Sequence, residues 1–197
     1  MDEMKSAFER AMERAESLGK ASEEDLRKWK YLPEGEKLAA KYLKDECDLV
    51  AEIGRYDDDN VRQHLAEGAQ EVLVRNIDLP RNELAKRTNK KAMEAIKELK
   101  RDKVSVENVY TKLRRIFNHY EQEGKQQRGQ AYEAVKRDVE AKMQQMIQQQ
   151  SGASAPMKIN VETQPQFQQE WRRTLAQLES QYLRLLDEYK QEILSVP

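Results

Sequence analysis

The amino-acid sequence predicts an all-α protein: an N-terminal helical bundle followed by a long helix and a C-terminal amphipathic helix, the last two forming a coiled-coil-like hairpin or an oligomer seam. Three observations predict it. Seven glycines and five prolines in 197 residues leave few helix breakers, while the abundant Glu, Lys, Arg, Gln, Ala and Leu suit helices. Apolar residues recur at steps of three and four along most of the chain, which lays them on one helix face. With 38% of residues hydrophobic, 36% charged and a mean hydropathy of -0.99, apolar material is too scarce for a thick core, so the fold is expected to be thin and elongated.

Met4, Phe8, Ala11, Met12, Ala15 and Leu18 mark a first helix, and Gly19 supplies the left-handed C-terminal cap. Ser22, followed by Glu23, Glu24 and Asp25, reads as an N-cap with acids at the positive end of the next helix. That helix is expected to end near Trp29, because the residue before a proline avoids the α region and Leu32-Pro33 follows. Leu38, Ala39, Tyr42, Leu43, Cys47, Val50 and Ile53 form a third stripe that stops at Gly54. Asp57, Asp58 and Asp59 then cap a fourth helix bearing Val61, Leu65, Ala69, Val72, Leu73 and Ile77. Three adjacent carboxylates at a helix start cannot converge on one ion, and the glycine and downstream glutamate of a calcium loop are missing. After the Leu79-Pro80 break, Leu84, Thr88, Ala92, Ile96 and Leu99 carry a fifth stripe to about Lys103.

Ser105 is expected to cap a sixth helix, whose stripe of Val106, Val109, Leu113, Ile116 and Tyr120 resumes at Ala131, Val135, Val139, Met143 and Met146. The eleven-residue gap keeps phase over three turns, so 105–150 can form one helix of roughly 69 Å at about 1.5 Å per residue. Gly124 and Gly129 each cost roughly 1 kcal/mol in a helix interior, which places a weak point or kink between Glu121 and Gln130. Ser151 to Pro156 has linker composition. Met157, Ile159 and Val161 alternate with polar residues at the period of a strand, yet no second strand candidate exists, so extended loop is expected, with pairing to another chain's sheet edge as the alternative. Pro165 opens the terminal helix, where Phe167, Trp171, Leu175, Leu178, Tyr182, Leu185, Tyr189 and Ile193 form one apolar seam with Leu183 and Leu186 beside it. The chain thus divides into a helical domain over 1–120, a Gln-rich continuation of the long helix over 121–150, a linker over 151–165 and a coiled-coil-like helix over 166–197.

The functional expectations follow from that seam and from what the chain lacks. His64 and His119 are the only histidines; Glu-x-x-His, zinc spacings, phosphate-binding glycine loops and nucleophile elbows are absent. The reading is therefore no enzyme, no catalytic residue, no metal and no cofactor. The lone Cys47 excludes an internal disulfide and fits a small core residue, its acidic neighbours Glu46 and Asp48 raising its thiol pKa. With no 18-residue apolar run and no basic-then-apolar leader in Met1 to Lys5, the expected location is cytoplasmic, with no membrane partner. A seam must be covered, so a scaffold or adaptor is expected that forms a homo-oligomer, most simply a dimer, and binds a protein partner.

Charge supplies the competing reading. Residues 1–60 hold 11 basic and 17 acidic side chains, whereas 81–115 hold 12 basic and 5 acidic, so the second stretch can pair with the first or recruit an anion. Lys86, Arg87, Lys90, Lys91, Arg114 and Arg115 are the candidate nucleic-acid patch, since clustered cations displace phosphate counterions. Interleaved Glu83, Glu94 and Glu98 favour self-pairing on the helix surface.

Overall fold

A computed structural model describes residues 22–151 and 160–197, and over these residues the protein is all-helical. In chain order it contains α1 (Glu23–Leu43), α2 (Leu49–Gly54), α3 (Asp59–Arg75), α4 (Glu83–Leu99), α5 (Lys103–Glu121), α6 (Glu123–Ser151), a 3₁₀ turn at Val161–Thr163, and α7 (Pro165–Ser195). The helix predicted over Met4 to Leu18 lies outside the described residues, as do the linker beyond Ser151 and most of the alternating run. Val161, the last apolar residue of that run, begins the 3₁₀ turn and is buried; no strand occurs among the described residues.

Polar caps start the helices as the composition of the connections dictates. Ser22 and Asp25 form a reciprocal capping box on α1. Asp48, Asp58 and Asn82 cap α2, α3 and α4 through their side chains. For α5 the cap is Asp102 and not the expected Ser105: the carboxylate accepts from the N–H groups of Val104 and Ser105, and the Ser105 hydroxyl donates to it at 2.5 Å.

The largest correction concerns α1, which does not stop near Trp29 but runs through Pro33 to Leu43. Proline costs about 3 kcal/mol in a helix interior, so a tertiary contact must outweigh it. That contact is a crossing of α1 on α3 in which glycines let the backbones touch. A Cβ on Gly35 would lie 2.0 Å from the Leu65 carbonyl oxygen, and one on Gly68 would lie 2.1 Å from the Leu32 carbonyl oxygen. Arg27 pairs with Asp58 at 3.0 Å at the N-terminal ends of both helices, so the two run side by side in the same direction. The third predicted stripe is accordingly divided between the end of α1 and the short α2, with Cys47 in the connection beside Asp45, whose φ of 64° is of the kind short polar residues tolerate.

α5 and α6 follow one another with a single interruption. The break falls at Gln122, whose backbone leaves the helical region (φ -95°, ψ -86°) while its N–H still reaches the Asn118 carbonyl. Gly124 and Gly129 both lie inside α6, so neither is the joint. Gly124 instead marks a close approach, since a Cβ there would sit 2.9 Å from the Tyr182 hydroxyl.

α7 returns antiparallel along both helices, held by Lys112 to Glu192 at 2.6 Å and His119 to Tyr182 at 2.7 Å; further along, Lys136 reaches Glu162 of the 3₁₀ turn at 2.6 Å. The terminal helix therefore closes a hairpin within its own chain. It serves two cores. Leu186, Ile193 and Val196 join the main cluster built on Ala39, Leu65, Leu73, Ile96, Val109 and Leu113, so residues within 166–197 and 1–120 share one core. Phe167 joins a second cluster with Val139 and Val161, where the Tyr132 ring stands edge-on to Phe167 and Trp171.

Candidate functional site

The seam of α7 is rotated relative to its sequence reading. Its fully buried residues are Phe167, Glu179, Leu186 and Ile193, with Trp171, Leu175, Tyr182 and Tyr189 half-buried around them. The buried ridge thus passes through Glu179 and Leu186 where the sequence favoured Leu178 and Leu185, one position and about 100° away on a helix of 3.6 residues per turn. Leu178 and Leu185 remain half-buried and, among the described residues, belong to neither core. With Ile116 and Tyr182 they line an open groove of about 540 Å³ between α5 and α7, rimmed by Arg115, Gln127, Gln177 and Gln181.

Glu179, a charged residue that the apolar seam of the terminal helix does not include, is buried on α7. Its carboxylate accepts from Arg81 Nη2 at 2.8 Å and from the Tyr120 hydroxyl, while Arg81 Nη1 also binds Asp78 at 2.7 Å. Arg81 itself lies in the α3–α4 connection, just before α4. Burial alone would push the Glu179 carboxyl up, but the Arg81 guanidinium and the Tyr120 hydroxyl outweigh it and hold it below the usual carboxylate range. Tyr120, pushed up to about 12 by burial and by its bond to Glu179, stays a neutral donor. Arg128 lies 3.8 Å above the Tyr120 ring and donates to the Tyr120 carbonyl, so this cluster ties α5, α6, α7 and the α3–α4 connection together next to the Gln122 break.

The six residues of the candidate anion patch are dispersed. Lys86 pairs with Glu83 and Glu121, Lys90 with Glu94, Lys91 with Asp45, and Arg114 with Glu107. Arg87 and Arg115 form no ion pair among the described residues, and Arg115 stands at the α5–α7 groove. Lys86, Lys90 and Arg114 meet Lys97 around a second groove of about 470 Å³ between α4 and α5, floored by Met93, Tyr110 and Phe117. Glu94, Glu107 and Glu121 line that groove too, so its field is mixed rather than cationic.

The remaining candidates are structural. Cys47 is half-buried, its Sγ donates to the Leu38 carbonyl, and burial followed by the Glu52 charge raises its pKa, with Asp48 and Glu46 adding to the rise. His64 is buried with Nδ1 3.5 Å from Glu67, and its Nε2 has no hydrogen-bond partner among the described residues. Among the described residues no three of His, Cys, Asp and Glu stand where they could share a metal ion, and no helix is long and apolar enough to cross a membrane.

Fold and surface together define a helical bundle with a hairpin arm, whose distinguishing surfaces are grooves between helices. Residues 50–195 match the family described as a family of unknown function (DUF6657), and the chain belongs to that family. The match begins within α2, so α1 precedes it. No curated protein and no solved structure matches the chain.

Proposed function

We propose that the protein is a non-catalytic helical scaffold of the cytoplasm, which forms a homodimer and presents helix-docking surfaces to a protein partner. The observation that carries this reading is the pair Leu178 and Leu185, left half-covered by their own chain at the rim of the α5–α7 groove. Apolar ridges on a helix are stabilised by a second helix, and a self-complementary patch about a two-fold axis is the simplest source of one. Gln177, Gln181 and Gln127 around the groove suit the polar, solvent-accessible rim of such an interface.

The test is mass by light scattering for wild type and for Leu178→Asp with Leu185→Asp. The reading requires a dimer that becomes a monomer of unchanged helicity in the double variant; a monomeric wild type at high concentration removes the dimer.

A second reading, a nucleic-acid accessory role, is favoured by the convergence of Lys86, Lys90 and Arg114 on the α4–α5 groove. It requires retention on a DNA or RNA column that weakens with salt and is lost when Lys86, Arg87, Lys90 and Lys91 are replaced by Glu. The three carboxylates in the same groove weigh against it.

A further inference from the structure

α4 and α5 form an antiparallel pair whose register is fixed at three points. Lys97 Nζ meets Glu107 at 2.8 Å, the Tyr110 hydroxyl donates to the Met93 carbonyl at 2.7 Å, and Lys86 Nζ meets Glu121 at 2.5 Å. The two ion pairs cross from one helix to the other, so the groove of about 470 Å³ between these helices is bridged at both ends. Eleven residues of α4 separate Lys86 from Lys97, which makes the trough about 16 Å long at 1.5 Å per residue. A volume of that order is typical of small-molecule sites. A nucleic-acid strand or a partner helix laid along the groove would instead have to break the bridges.

The floor is apolar. Met93 and Phe117 are half-buried there, Tyr110 is buried with its hydroxyl engaged, and the buried Asn89 amide is held by the backbone N–H and carbonyl of Asp78. Charge is unevenly shared along the banks. Lys86 has two carboxylates, Glu83 and Glu121. The other three cations that line the groove, Lys90, Lys97 and Arg114, have two between them among the described residues: Glu107 serves both Lys97 and Arg114, and Glu94 stands 4.0 Å from Lys90. The register brings Lys90 and Arg114 nearly level on opposite banks, so one positive charge is left uncompensated midway along the trough. Both side chains are exposed and can turn their head groups inward. An apolar floor under one surplus cation selects an apolar body with a single negative charge, and a carboxylate is the planar partner that a guanidinium fits.

We propose that the α4–α5 groove binds a small amphiphilic carboxylate, its apolar body on Met93 and Phe117 and its head group held by Lys90 and Arg114. The site is separate from the α5–α7 groove on which the dimer reading rests.

The experiment titrates the full chain with decanoate below its micelle concentration, followed by calorimetry and by amide chemical shifts. One saturable site per chain is expected, with shifts centred on Met93, Tyr110 and Phe117. Lys90→Gln with Arg114→Gln, two exposed positions, should weaken binding about tenfold or more at unchanged helicity, and Lys90→Arg with Arg114→Lys should retain most of it. Decyltrimethylammonium, with the same chain and the opposite charge, should bind far more weakly than decanoate. The absence of saturable binding, equal affinity for the two amphiphiles, undiminished binding in the double Gln variant, or shifts centred outside α4 and α5 each overturns the proposal. So does displacement of decanoate by an equimolar single-stranded oligonucleotide, which would assign the cations to a polyanion.

Discussion

Arg81 and Glu179 lie 98 positions apart in sequence, yet their side chains meet at 2.8 Å, and the carboxylate they share with Tyr120 is buried in the middle of the longest helix. A buried carboxylate needs its donors, so breaking the pair leaves a desolvated charge or an unpartnered hydroxyl. Glu179→Ala is expected to cost about 2–4 kcal/mol, below the usual value for a fully enclosed pair because Arg81 is partly open to water. Urea unfolding followed by circular dichroism measures it; a loss under about 1 kcal/mol would show that the cluster is ornamental.

The same carboxylate makes a pH prediction. Its folded pKa is depressed relative to the unfolded chain, where Glu titrates near about 4.3, so its contribution is complete above that value and is lost as pH falls through the folded pKa. Between about pH 4.5 and the folded value, wild type should lose stability with acid more steeply than Glu179→Gln. Equal slopes in urea melts across that window would contradict the assignment.

The helix crossing predicts opposite outcomes for two kinds of glycine. Gly68→Ala must push α1 off α3, because the added Cβ meets a backbone oxygen that cannot swing away, and a loss of about 3 kcal/mol or more is expected. Gly129→Ala meets nothing within 4 Å and sits inside α6, so it should raise stability by up to about 1 kcal/mol. Thermal melts of the two variants side by side check both signs.

His64→Leu removes a buried nitrogen that has no partner and keeps a side chain of similar bulk. A neutral to stabilising effect of up to about 1 kcal/mol is expected, since no good hydrogen bond is sacrificed. A clear drop in melting temperature would show that Nε2 does have a partner in solution.

Lys100 is buried and donates to the carbonyls of Leu194 and Val196, which the end of α7 leaves without helical partners. Lys100→Met should therefore cost about 1–3 kcal/mol and loosen residues 193–197 selectively. Hydrogen exchange at Ile193 and Leu194, compared with Leu113, distinguishes this local fraying from general unfolding.

The helical class, the capping of α3 by Asp58, the ends of α2 at Gly54 and of the α5 stripe at Tyr120 were legible because caps and 3.6-residue spacing act locally. What was not legible depended on tertiary contact. Pro33 reads as a stop in any local rule, and only the glycine crossing of α1 on α3 overrides it. Glu179 was the more instructive miss. It stands four residues after Leu175 and three before Tyr182, squarely in the seam's spacing, and its charge alone directed the reading to Leu178. A charged residue in step with an apolar ridge is the sequence signal of a buried pair. Its partner Arg81 carried no comparable mark, because the pairing is fixed by how the α3–α4 connection meets α7.

The interruption at Gln122 has a mechanical consequence. Two rods joined end to end bend where the backbone bonds are fewest, and here a third, unbroken rod lies across the joint, fastened to α5 by Lys112 and Glu192 and to α6 by the Tyr132 and Trp171 rings. α7 acts as a splint, so bending at the joint would have to disturb the packed interior at Leu186 and Ile193.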